Sequence, residues 1–80
     1  MAEHHISSLV VHVRPECAPA ATAAIAALAG AEIHAATPEG KLVVTLETGG
    51  TDEITRAITG INAIKGVLSA VLAFHQIEHG

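Results

Sequence analysis

Only four residues, "PEGK", separate the apolar runs "AEIHAAT" and "LVVTLET". The first run alternates weakly and the second well, which is the period of a strand with one buried face. Pro and Gly in so short a break supply a tight reversal, so the spacing predicts a β-hairpin. The hairpin constrains everything around it, because each flank has helical periodicity. Before it, "AATAAIAALAG" is Ala-rich and sets Ala21, Ile25 and Leu28 on one face, with Gly30 as the stop. After it, Ile54, Ile58 and Ile61 fall at i, i+4 and i+7. Thr51 reads as the N-cap of that second helix, and Asp52 and Glu53 sit where the positive end of the helix dipole favours acids. Gly60 weakens it by about 0.5–1 kcal/mol relative to Ala.

Two outer strands complete the pattern. In "HISSLVVHVR", Leu9, Val11 and Val13 point one way and Ser8, Val10 and His12 the other. "PECAP" ends it, since its prolines cannot continue a ladder or sit inside a helix. Beyond Lys65-Gly66, "GVLSAVLAFHQIE" reads as the last strand. The order strand, helix, strand, strand, helix, strand, with right-handed crossovers, leaves few topologies. It predicts an α+β, ferredoxin-like split βαβ fold (βαββαβ): an antiparallel four-stranded sheet with two helices on one face, in a single domain over residues 1–80.

Such a sheet has a covered side and an open side, and strict alternation assigns residues to each. The covered side receives Leu9, Val11, Val13, Ile33, Ala35, Leu42, Val44, Leu46, Leu68, Ala70, Leu72 and Phe74. The open side receives Ser8, Val10, His12, Glu32, His34, Val43, Thr45, Glu47, Val67, Ser69, Val71, Ala73 and His75. Valines on a solvated face serve strand propensity in any case. This set, however, has few long polar side chains over its apolar area, and contiguous exposed apolar area marks partner sites. Glu32 and Glu47 give it an acidic flank suited to a basic peptide. By the same parity a polar residue at Leu72 should unfold the domain, and one at Val71 should leave it folded.

Other functions find little support. A chain of 80 residues has room for one domain, and with Phe74 its only aromatic residue the core must come from Ala, Val, Ile and Leu. A net charge of −4 with only Arg14, Lys41, Arg56 and Lys65 basic argues against nucleic acid. Cys17 stands alone, which removes an intrachain disulfide and any CxxC site and favours a reducing compartment. The N-terminus has no basic n-region, and no apolar stretch reaches the ~18 residues of a membrane span, so a soluble cytoplasmic protein with no membrane insertion is expected. Of the six histidines, His4 and His5 point to opposite faces and His12, His34 and His75 lie on separate strands, so no metal site is expected, although His12 and His75 could approach. Cys17 beside Glu16, Ser7 and Ser8 without a base, and "TGGTDE" without a P-loop lysine all speak against an enzyme, and no cofactor motif is present.

"HISSLVVHVRPE", the "PEGKLVVTLE" hairpin and "GVLSAVLAFHQIE" together resemble the NapD family, cytoplasmic assembly chaperones of the periplasmic nitrate reductase. The resemblance covers nearly the whole chain in order and spacing. It implies a ferredoxin-like chaperone that binds the twin-arginine signal peptide of the nitrate reductase catalytic subunit as a helix on the open sheet face, restraining export until the molybdenum cofactor is inserted. On this sequence it points to Ser8, Val10, His12, Val43, Thr45 and Glu47, extended by Ser69 and Val71; Glu32 and His34 join them from alternation. The chain departs by stopping at Gly80, without a long charged tail. Two other readings remain open. One is a small-molecule regulatory domain of the ACT type, although "RPECAP" lacks that type's Gly-rich turn; the other is a metal carrier, discouraged by the missing CxxC. The oligomeric state, monomer or weak dimer, is left open.

Overall fold

The computed structural model describes the backbone of residues 3–79 and the side chains of residues 4–74. The elements are β1 (Glu3–Val13), a 3-10 turn (Pro15–Cys17), α1 (Ala18–Ala26), β2 (Ala31–Ala36), β3 (Lys41–Thr48), α2 (Thr51–Asn62) and β4 (Val67–His79). The strands form one sheet in the order β2-β3-β1-β4, every neighbouring pair antiparallel. This is the ferredoxin-like order that the sequence predicts. The hairpin closes through Thr37 and Lys41, with Thr37 N–H donating to Lys41 O at 2.9 Å and Lys41 N–H to Thr37 Oγ1 at 3.1 Å.

Both helices lie on the same side of the sheet. Leu9, Val11 and Val13 of β1 and Leu42, Val44 and Leu46 of β3 share one fully buried core with Ala21 and Ile25 of α1 and Ile61 of α2. Leu28 and Ile58 pack half-buried at its rim, as the helical periodicity requires. The core is aliphatic throughout. Its stability rests on close packing of branched side chains.

Local details depart from expectation. Pro19 lies inside the first turn of α1 rather than outside the helix; the amides there have no intrahelical partner, so the missing N–H costs nothing. The N-cap of α2 is Gly50, and Thr51 is already helical. Gly50 supplies no side-chain cap; instead the amide of Gly49, just before the helix, donates to the Glu53 carboxylate at 3.2 Å and ties the entering turn to the first helical turn. Gly30 does not stop α1, which ends at Ala26. It has φ of +78°, its carbonyl accepts from Glu47 N–H, and a Cβ there would fall on the Glu47 carbonyl, so it lets β2 approach β3. Gly66, with φ of +92°, likewise leaves room for the Cys17 side chain.

Gly60 is different. It is exposed in the last turn of α2, and a Cβ there would meet nothing within 4 Å. Gly60→Ala should raise the unfolding free energy by about 0.5–1 kcal/mol in urea denaturation, with an unchanged slope.

The last strand corrects the parity reading. Against β1, β4 pairs Val67 with Val13, then Ser69 with His12, Ala70 with Val11, Val71 with Val10 and Leu72 with Leu9, then Phe74 with Ser8. Leu68 and Ala73 are each an extra residue at a bulge, and each bulge reverses the parity that follows it. Val67 therefore packs against the core with Ala70, not on the open side. Leu68, Leu72 and Phe74, expected in the core, are 62%, 44% and 57% exposed. Leu72 does point to the covered side, opposite the fully buried Leu9, but on an edge strand beyond the helical cover, so it is no keystone of the core. Ala73 sits at the bulge rather than in the open-side row. The backbone of His75 pairs with Ser7; its side chain lies outside the described residues.

A third irregularity lies in β2. Ile33 pairs with Val44 and Ala35 with Val43, leaving His34 as the unpaired residue. Ala35, expected on the covered side, is thereby moved to the open one.

Candidate peptide interface

The open side is built of cross-strand rows, because residues directly opposite each other in an antiparallel ladder share a face. The central row is Ala35, Val43, Val10 and Val71, one residue from each strand. No residue of this apolar row is buried: Val10 and Val43 are half-buried, while Ala35 and Val71 are exposed. The next row toward the start of β1 is Glu32, Thr45, Ser8 and Phe74. Beyond it Ile6, half-buried, stands opposite Glu47. On the other flank Lys41, His12 and Ser69 form a polar row.

All ten residues singled out from the sequence lie on this side. Ser8, Val10, His12, Val43, Thr45, Glu47, Ser69 and Val71 take their places through strand register, and so does Glu32. His34 reaches it through its bulge, where His34 Nε2 lies 2.8 Å from Thr45 Oγ1. His12 Nδ1 is 3.4 Å from Ser69 Oγ. Glu47 is 3.3 Å from His4 Nδ1, so the carboxylate at this corner has a local partner that can be displaced by a stronger cation.

Alternation missed three contributors. Phe74 and Ala35 were assigned to the wrong side by the bulges; Ile6 lies within the first strand's run but ahead of Ser8, where the assignment to sides began, and extending the alternation backward from Ser8 finds it. The resulting patch contains Ile6, Val10, Ala35, Val43, Val71 and Phe74, with Glu32 and Glu47 on one flank and His12 and Lys41 on the other.

The described residues of the open side form an exposed apolar patch with charged flanks. Among the described residues no three of His, Cys, Asp and Glu are grouped to hold a metal ion. His12 is opposite Ser69 and the His75 backbone opposite Ser7, so the two strands do not bring these histidines into register. Ser7 is fully buried on the covered side, its hydroxyl without a hydrogen-bond partner among the described residues, and no substrate reaches it. Cys17 is a free thiol packed beside Gly66.

The family model described as NapD protein matches residues 4–79. The chain belongs to the NapD family. The Chaperone NapD of Paracoccus pantotrophus is 40% identical over 73 residues, which cover 91% of this chain and 64% of that relative's length. The solution structure of the E. coli Tat proofreading chaperone protein NapD is similar with a TM-score of 0.83 at 27% identity, over 91% of this chain and 78% of that one. The match to the NapD family includes every strand of the open face. No helix among the described residues is long and apolar enough to cross a membrane.

Proposed function

We propose that this NapD-family chain is a chaperone, not an enzyme, and that its open sheet face binds the twin-arginine signal peptide of the periplasmic nitrate reductase catalytic subunit. The observation that carries the proposal is the uncovered apolar row Ala35–Val43–Val10–Val71 beside Phe74, flanked by the carboxylates of Glu32 and Glu47. A twin-arginine peptide has the complementary parts: an apolar helical stretch that needs a flat apolar partner, and guanidinium groups that pair with carboxylates. The two relatives, named a chaperone and a Tat proofreading chaperone, support the same reading.

The action follows from occupancy. A peptide covered by the sheet cannot at the same time present its arginines and apolar stretch to the export machinery, so binding restrains export until the molybdenum cofactor has been inserted in the cargo. No bond is made or broken, and no cofactor of its own is needed. The chaperone works in the cytoplasm, where the cargo is made.

A synthetic peptide with an Arg-Arg pair followed by an apolar stretch should shift the amide NMR signals of Val10, Val43 and Glu47 and leave Ile25 and Ile58, on the helices, nearly unmoved. A dissociation constant weaker than about 100 μM, roughly 5.5 kcal/mol, would sink the proposal. Retention of the catalytic subunit lacking its signal peptide, in a pull-down, would move the site elsewhere.

A further inference from the structure

The charges on the sheet have a direction. Val13 N–H donates to Gly40 O at 2.7 Å and Arg14 N–H to Gly66 O at 2.8 Å, which clamps three chain segments together at one end of the sheet. Each segment carries a cation at the clamp: Arg14 itself, Lys41 after Gly40, and Lys65 before Gly66. Three of the chain's four Lys and Arg residues thus gather at this end, all of them exposed. Arg14 and Lys65 also line, with Cys17, Gly66, Val67 and Leu68, a depression of about 330 Å³. His12 adjoins them, opposite Lys41. The acids at this end are Glu16 and Glu39. The Glu39 carboxyl is engaged by its own backbone N–H and by the Thr37 hydroxyl, which hold it below the usual carboxylate range.

The opposite end is acidic. Glu32 and Glu47 lie on the open face there, and Asp52 and Glu53 open α2 just past the end of β3. The fourth cation, Arg56, lies further along α2 in the helical layer. Lys41 and Glu47 are separated along β3 by roughly 20 Å at ~3.3 Å per residue, the length of about 13 residues of α-helix.

A helix with arginines at its N-terminal end has its side-chain charge and the positive pole of its dipole together, and its free carbonyls at the other end. Only one direction along this sheet satisfies both ends. We propose that Arg14, Lys41 and Lys65 receive the C-terminal end of the bound helix, so that the peptide lies along the strands with its arginines over Glu32 and Glu47. The cationic end is then a determinant of direction, which the apolar rows by themselves are not. This inference rests on the open face being the peptide site.

The test uses the full chain and the synthetic Arg-Arg peptide carrying a nitroxide at one end or the other. The C-terminal label should broaden the amides of His12, Lys41 and Ser69, and the N-terminal label those of Thr45 and Glu47. The triple variant R14E/K41E/K65E should bind the peptide about tenfold more weakly, and R56E, in the helical layer, within about twofold of the parent. Reversed broadening, or equal broadening of both ends by both labels, overturns the direction and leaves the peptide site standing. Binding without broadening of this face by either label, or no binding, overturns the peptide site itself and the direction with it. Weakening by R14E/K41E/K65E no greater than that by R56E also overturns the inference, since the place of the cations on the sheet would then make no difference.

Discussion

Phe74→Ala should weaken peptide affinity about tenfold while leaving the melting temperature nearly where it was. Phe74 stands opposite Ser8 on the open side and is 57% exposed. Complete burial of such a side chain is worth about 1.5–3 kcal/mol, and roughly half of that is still to be gained when a partner covers it. About 1.4 kcal/mol corresponds to a factor of ten in the dissociation constant. The measurement pairs calorimetric titration of the Arg-Arg peptide with thermal unfolding of the free domain. If Phe74 were the core residue that unbroken alternation makes it, the same substitution would cost about 3–5 kcal/mol of stability. The two accounts therefore separate on the unfolding curve as well as on the binding isotherm.

The second large effect is on stability, and it contrasts two leucines that face each other. Leu9→Ala should lower the unfolding free energy by about 2–5 kcal/mol, whereas Leu72→Ala should cost about 1 kcal/mol. The residues are directly opposite in the β1–β4 ladder and point to the same side. Leu9 is fully buried among aliphatic neighbours, which relax only partly into the space a truncation leaves, and Leu72 is 44% exposed on the edge strand. In a small domain, with a total stability of about 5–10 kcal/mol, the first change removes a large share and the second does not. Urea denaturation of the two variants checks this, and it replaces the expectation that a polar residue at Leu72 unfolds the protein.

Much of the candidate site was legible because β1 and β3 are regular over the open face. Their ladder runs from His5 opposite Thr48 to His12 opposite Lys41 with no break, so alternation placed Ser8, Val10, His12, Val43, Thr45 and Glu47 without error. Glu32 was equally accessible, since it precedes the irregularity in β2. Errors begin where an edge strand carries an extra residue. Beyond a bulge, every side chain moves to the other face, and a bulge leaves no clear mark in a run such as "GVLSAVLAF", where all choices are apolar or small. Both edge strands contain such bulges, and both central strands pair without one between them.

The element order, the hairpin, the two helical stripes and, through these, the ferredoxin-like sheet were legible in the order of residues alone. Those features depend on periodicity and on turn chemistry, which are local properties. Only the tertiary structure decided which way Phe74 and Ala35 point, how little of Leu72 is covered, and that Arg14, Lys41 and Lys65, far apart in the chain, meet at one end. A bulge is fixed by pairing with a neighbouring strand, and a charge cluster by the backbone bonds that join distant turns. Neither has a local cause to be read.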